Sequence, residues 1–143
     1  MFDNLRARIS KENRMKTKKT KILVLDDEKQ IVDVFAYLMK QFHYDADYFQ
    51  DAETALDTVV KDISHYDLIV CDIRMPKMDG ISFARKIRAL SNKLPIVFMT
   101  GYPSDEIKRE VQTLGNVIYL QKPFPLRQTF EDLIPKLLKD SAS

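Results

Sequence analysis

Five short runs rich in Val, Ile and Leu alternate with five amphipathic stretches along this chain. That alternation limits what it can fold into more than any other feature. The runs are 21–26, 44–49, 66–72, 94–100 and 117–121. Several are nearly continuous in apolar residues, the pattern of strands covered on both faces. The stretches between them have helical spacing: Ile31, Phe35, Leu38 and Phe42 in 28–42; Ala52, Leu56, Val59 and Ile63 in 52–63; Ile81, Ala84, Ile87 and Leu90 in 80–90. Ile107, Val111 and Leu114 in 104–114, and Leu126, Phe130, Leu133 and Leu137 in 125–139, complete the set. Asp51 and Ser104 or Asp105 suit helix N-caps, and Gly115 a helix stop. A βα unit repeated five times predicts an α/β fold: a five-stranded parallel sheet, doubly wound with helices on both faces. Pro135 conflicts with its own helix, since it lacks an amide donor and crowds the carbonyl of Glu131. A kink near Ile134 or a shortened helix is expected, and the apolar pattern continuing to Leu137 and Leu138 favours the kink.

The strand ends carry the chemistry. Asp26 and Asp27 close the first run, Asp72 the third, Thr100 the fourth, and Lys122 follows the fifth. In an open parallel sheet, ligands bind outside this C-terminal edge. Three carboxylates brought together resist joint ionisation, and a hard divalent cation removes the conflict. Magnesium, or manganese, takes such oxygen ligands together with waters and a phosphate oxygen. A carboxylate can also attack phosphorus to give an aspartyl phosphate. The metal, the Thr100 hydroxyl and the Lys122 ammonium would then each neutralise one equatorial oxygen. Gly101 would leave room above the pocket. His43 and His65 read as ordinary surface or strand-edge residues.

Length and composition set outer bounds. The 143 residues suit one domain, with 31% charged and 45% hydrophobic residues typical of a globular chain. No apolar run approaches the ~20 residues that span a bilayer, and no apolar segment follows the basic N-terminus as in a secretory signal. Cys71, the single cysteine, reads as a small core residue, compatible with a reducing cytoplasm. Charge is uneven: residues 1–21 hold eight basic and two acidic side chains, and the remainder 15 basic and 19 acidic. Residues 1–20 are therefore expected to be a basic mobile arm or an expression remnant, 21–139 the domain, and 140–143 a frayed tail. A short basic tract is a weak signal for nucleic acid, and a solvated tail is the simpler reading.

Asp26-Asp27-Glu28, the Asp72-Ile73-Arg74-Met75-Pro76 turn with Met78-Asp79-Gly80, Thr100-Gly101-Tyr102 and Lys122-Pro123-Phe124 together resemble the receiver domain of bacterial two-component response regulators. The resemblance is chemotaxis-regulator-like and covers roughly residues 20–139. The intervals agree as well: 45 positions from Asp27 to Asp72, 28 to Thr100 and 22 to Lys122. It implies a flavodoxin-like sheet of strand order 2-1-3-4-5. It implies that Asp72 is the phosphoacceptor, charged by a sensor histidine kinase or phosphotransfer protein. Asp27 would bind Mg2+ directly, Asp26 largely through water, and the backbone carbonyl of Arg74 would complete the protein ligands. Lys122–Pro123 is expected to be cis. Thr100 and Tyr119 match the pair that moves on phosphorylation, so the surface would switch for a downstream partner. Arg74 and Tyr102 would flank the water path to the phosphoryl group. The segment Leu114–Tyr119 lacks the Gly-Ala-x-x-Tyr pattern of many receivers and the charged set of those that dimerise through the fourth and fifth helices. A monomer or a phosphorylation-dependent dimer is expected, with no membrane partner.

Three other functions are compatible with a chain of this pattern. An aspartate-nucleophile phosphohydrolase would be a true enzyme, but it needs a second acid two residues after the nucleophile, where Arg74 stands, a poor general base. A phosphorylation-silent scaffold would not need the complete set of site residues. Nucleic-acid binding would rest on the basic arm alone. The expected activity is signalling, limited to the chain's own phosphorylation and dephosphorylation. The domain is read either as a stand-alone regulator or as a receiver cut from a longer regulator or hybrid kinase.

Overall fold

The computed structural model describes residues 19–142, so the expectation for the basic arm falls almost wholly outside the described residues. The described residues form one parallel sheet flanked by helices. In chain order these are β1 (Lys21–Leu25), α1 (Lys29–Gln41), β2 (Asp45–Phe49), α2 (Ala52–Lys61), β3 (Leu68–Asp72), α3 (Gly80–Leu90), β4 (Ile96–Thr100), α4 (Asp105–Gln112) and β5 (Val117–Gln121). A last helix, α5, consists of a turn Leu126–Gln128, a π-helical turn Thr129–Leu133 and an α-helix Ile134–Ala142. The sheet order is β2-β1-β3-β4-β5, all neighbours parallel, as the sequence led us to expect.

Alternation along the strands sorts the core into two halves. Leu23, Leu25, Ile69, Cys71, Ile96 and Phe98 face α2, α3 and α4, where Ala55, Val59, Phe83, Ile87 and Val111 meet them. Ile22, Val24, Leu68, Val70, Val97 and Met99 face α1 and α5, against Phe35, Leu38, Met39, Phe130 and Ile134. Phe130 is ringed by Phe35, Phe42 and Tyr44, with centroids 5.4–6.4 Å away. Burying one such side chain contributes about 1.5–3 kcal/mol, so these two halves fix the sheet and hence its C-terminal edge. The central strands β3 and β4 are buried along their whole length, whereas the edge strands β2 and β5 are only partly covered.

Local chemistry sets the boundaries. Asp51 accepts the Thr54 N–H at 2.8 Å and Ser104 the Ile107 N–H at 3.1 Å, each capping its helix. Asp79 caps α3 through the Ser82 N–H at 2.8 Å. β4 begins at Ile96 and not at Leu94, because Pro95 has no N–H for the ladder, although its carbonyl still accepts from Ile69. The second helix stops at Lys61, and Asp62 caps a separate 3-10 turn, Ile63–His65. Around Pro135 the expected disturbance takes the form of the π turn over Thr129–Leu133. Widening that turn changes the hydrogen-bond register ahead of the proline. α-Helical geometry resumes at Ile134 and is not cut short; it reaches Ala142, within the stretch expected to fray.

Candidate functional site

Register alone brings the acids together. Leu25 pairs with Cys71 across β1 and β3, so Asp26 and Asp72 emerge side by side where the sheet order reverses. Asp26 is fully buried and Asp72 is 4% exposed. Carboxylate oxygens of Asp26, Asp27 and Asp72 lie within 4.8 Å of one another. Asp26 Oδ1 accepts the Glu28 N–H at 2.9 Å, which ties that carboxylate to the entrance of α1. The opposite charge arrives from β5. Lys122 Nζ donates to Asp26 Oδ2 at 3.1 Å and stands 3.5 Å from Asp72 Oδ1. Its backbone N–H bonds the Thr100 carbonyl at 2.7 Å, and the Lys122–Pro123 peptide is cis as expected.

The electrostatics are those of a crowded anionic pocket. Burial, and then the Asp26 carboxylate, push Asp72 up to about 6 from an ordinary 3.8, against the pull of Lys122. Burial raises Asp26 too, opposed by the Glu28 N–H and Lys122. For Lys122, burial works to lower the ammonium's pKa, but Asp26 and Asp72 outweigh it and hold it above its usual value. One amine thus balances part of three carboxylates. An all-oxygen donor set with a net negative charge, in which the Asp26 and Asp72 carboxyls hold their protons more tightly than usual, suits a hard divalent cation, which would relieve the repulsion. The three carboxylates therefore fit magnesium or manganese.

The remaining expected residues sit around this centre. Thr100 is buried at the end of β4, where its hydroxyl accepts the Tyr102 N–H at 3.0 Å. A Cβ at Gly101 would meet nothing within 4 Å, so the space there does not depend on the glycine. The Arg74 guanidinium stacks over the Tyr102 ring, 4.4 Å from its centroid. Tyr119 packs on the α3–α4 side of the sheet, and its hydroxyl is buried with no hydrogen-bond partner. His43 and His65 are both exposed. Beside Lys122, an apolar hollow of about 380 Å3 lies between α1 and residues 123–126, lined by Ile31, Val34, Phe35, Met99, Phe124 and Leu126.

Gly80, quoted above as part of the motif set, has a steric role that the motif does not show. A Cβ there would lie 2.2 Å from the Asp72 carbonyl oxygen and 2.9 Å from Cys71 Sγ. Only a glycine lets α3 start directly against the backbone of Asp72, and the Gly80 N–H closes the loop onto the Ile73 carbonyl at 2.9 Å. The sole hint was a glycine at a helix start, after Asp79.

The response regulator receiver domain profile matches residues 22–134. This chain belongs to the response regulator receiver family. It is 34% identical over 102 residues to the transcriptional regulatory protein ZraR of Escherichia coli K12, covering 71% of this chain and 23% of that protein. It is 33% identical over 108 residues to the transcriptional regulatory protein FixJ of Bradyrhizobium diazoefficiens, covering 76% of this chain and 52% of that protein. The chain thus spans roughly a quarter to a half of these two relatives. Among solved structures, chemotaxis protein CheY4 of Vibrio cholerae superposes with a TM-score of 0.72 at 28% identity, covering 85% of this chain and 98% of that one. The Francisella response regulator 1452 receiver domain gives 0.76 at 29%, covering 86% and 99%. A CheY-like protein from Methanospirillum hungatei shares the fold, with a TM-score of 0.79 at 24% identity over 87% and 98%. Among the described residues of this receiver domain, no helix is long and apolar enough to cross a membrane.

Proposed function

We propose that the chain accepts a phosphoryl group on Asp72 from a phosphohistidine of a sensor kinase or phosphotransfer protein. The observation that carries this reading is a nearly buried carboxylate held between a buried acid, Asp26, and an ammonium 3.5 Å away. An Asp72 carboxylate oxygen attacks phosphorus in a phosphohistidine whose other ring nitrogen carries a proton, the phosphorus–nitrogen bond breaks with its electron pair going to nitrogen, and neutral imidazole leaves. Asp26, Asp27, Asp72 and the backbone carbonyl of Arg74 would hold the cation. Bound there, magnesium supplies positive charge to a phosphoryl oxygen. Lys122 needs only a small movement to pair with another oxygen, since it already stands between the two acids. The Thr100 hydroxyl exchanges its role as acceptor from Tyr102 for that of donor to the third oxygen. The apolar hollow beside Lys122 gives the donor protein a surface next to the acceptor.

The product is a modified chain and not the alcohol and inorganic phosphate of a hydrolysed ester, so the role is signalling. Against a phosphohydrolase stands position 74, whose side chain is an arginine laid on Tyr102. The test is incubation with acetyl phosphate and magnesium, followed by intact mass and peptide mapping. Wild type should gain one phosphoryl group on Asp72, and Asp72→Asn none. Labelling of the variant at the wild-type rate would remove Asp72 from the reaction.

A further inference from the structure

Arg88 lies in the last turn of α3, half-buried, and its guanidinium is aimed at backbone oxygens. Nε donates to the carbonyls of Leu114 at 2.8 Å and Gly115 at 3.2 Å. Nη2 donates to Gly115 at 2.9 Å and Asn116 at 3.3 Å, and Nη1 to Ser91 at 3.2 Å. Leu114, Gly115 and Asn116 form the turn from α4 into β5, with Gly115 and Asn116 both at positive φ, 66° and 53°. A planar fork of five N–H groups can serve several carbonyls at once, which an ammonium on a flexible stem cannot. The Asn116 side chain donates to the Lys93 carbonyl, and its own carbonyl accepts from Ile96 at 3.2 Å. About one turn back on the same helix, Arg85 pairs with Glu110 of α4 across the exposed surface.

The opposite end of α3 is Gly80, set against the Asp72 carbonyl. This eleven-residue helix therefore touches the acceptor's backbone at one end and holds the α4–β5 turn at the other. Tyr119, with its unpartnered buried hydroxyl, follows three residues after Asn116. We infer that Arg88 is a positioning residue through which α3 passes a displacement of the Asp72 loop to the α4–β5 turn and so to β5. Without its fork, three carbonyls at the end of α4 would turn to other partners. The polar hold of α3 on the α4 side would then fall to the exposed Arg85–Glu110 pair, and such surface pairs are weak.

This inference rests on the phosphoacceptor reading, and the experiment keeps the two apart. Full-length wild type, Arg88→Ala and Arg88→Lys are treated with acetyl phosphate and magnesium. Intact mass reports labelling, and amide hydrogen exchange reports the change over residues 73–79 and 113–121. Arg88→Ala should label as wild type does and keep the change over 73–79. Its change over 113–121 should shrink at least about fivefold, the low end of ordinary coupling strengths. Arg88→Lys keeps the charge without the fork and should show the same loss; it also decides the matter if the alanine variant does not fold. A full wild-type response over 113–121 in the lysine variant, or equal losses in both segments, overturns the role of Arg88. Absence of label on wild type overturns the phosphoacceptor reading and this inference with it.

Discussion

Asp72→Asn should make the metal-free protein more stable at neutral pH, although it removes the acceptor. The wild-type carboxyl titrates at about 6 against an ordinary 3.8 because burial and Asp26 disfavour its charge. Between those two values the native state binds more protons than the unfolded state. Stability therefore falls as pH rises through that window and stays at the lower level above it. At 1.36 kcal/mol per pH unit, the full difference amounts to about 3 kcal/mol. Lys122 keeps its shorter contact, 3.1 Å to Asp26, when Asp72 is neutralised, so little is lost in exchange. Allowing for relaxation around the coupled acids, we expect a gain of about 1–3 kcal/mol at pH 7.5, fading towards zero below about pH 4. Urea unfolding of both proteins in EDTA at several pH values measures it. Millimolar magnesium should narrow the gap by stabilising wild type preferentially, since only wild type offers all three carboxylates. Coincident unfolding curves at pH 7.5 in EDTA, or a weaker variant, would refute the claim that Asp72 sits charged under stress.

Two further outcomes follow from the same geometry. Gly80→Ala places a methyl group 2.2 Å from the Asp72 carbonyl, where α3 or the acceptor's backbone must shift; a loss of about 2–4 kcal/mol in urea unfolding is expected, and an unchanged midpoint would count against the close approach. Asp27→Ala removes one of the three clustered carboxylates and should weaken magnesium binding at least about tenfold by calorimetry, whereas affinity equal to wild type would place the cation elsewhere.

The order of elements and the membership of the pocket were legible because both depend on local pattern. Continuous apolar runs marked the strands, and polar residues at their ends marked the edge where parallel strands deliver side chains. The caps at Asp51 and Ser104 were legible for the same reason, since each bonds an amide three residues on. What escaped was tertiary. Arg88 reads on paper as one more exposed helix cation; three of its four carbonyl partners lie 26–28 positions away and carry no side-chain signal. Gly80 was legible as a motif glycine opening a helical stretch, but its constraint comes from a backbone atom eight positions earlier, which residue type cannot reveal. The stack of Arg74 on Tyr102 joins two loops whose conformations no periodicity encodes. At Pro135 the conflict was visible but its resolution was not, because a π turn and a kink answer the same crowding.

The loop between Asp72 and Gly80 is closed at its base by the Ile73–Gly80 hydrogen bond and by the bare glycine beneath the carboxylate-bearing residue. Its outer part exposes Pro76 and Lys77, the latter at φ 65°, while Met75 and Met78 pack back onto the core half beneath α2, α3 and α4. A graft confined to positions 76 and 77 would thus alter the exposed surface without shifting the chemistry below, whereas one spanning 75–78 would also remove two core contacts. The same graft extended to include position 80 would have to bring its own glycine.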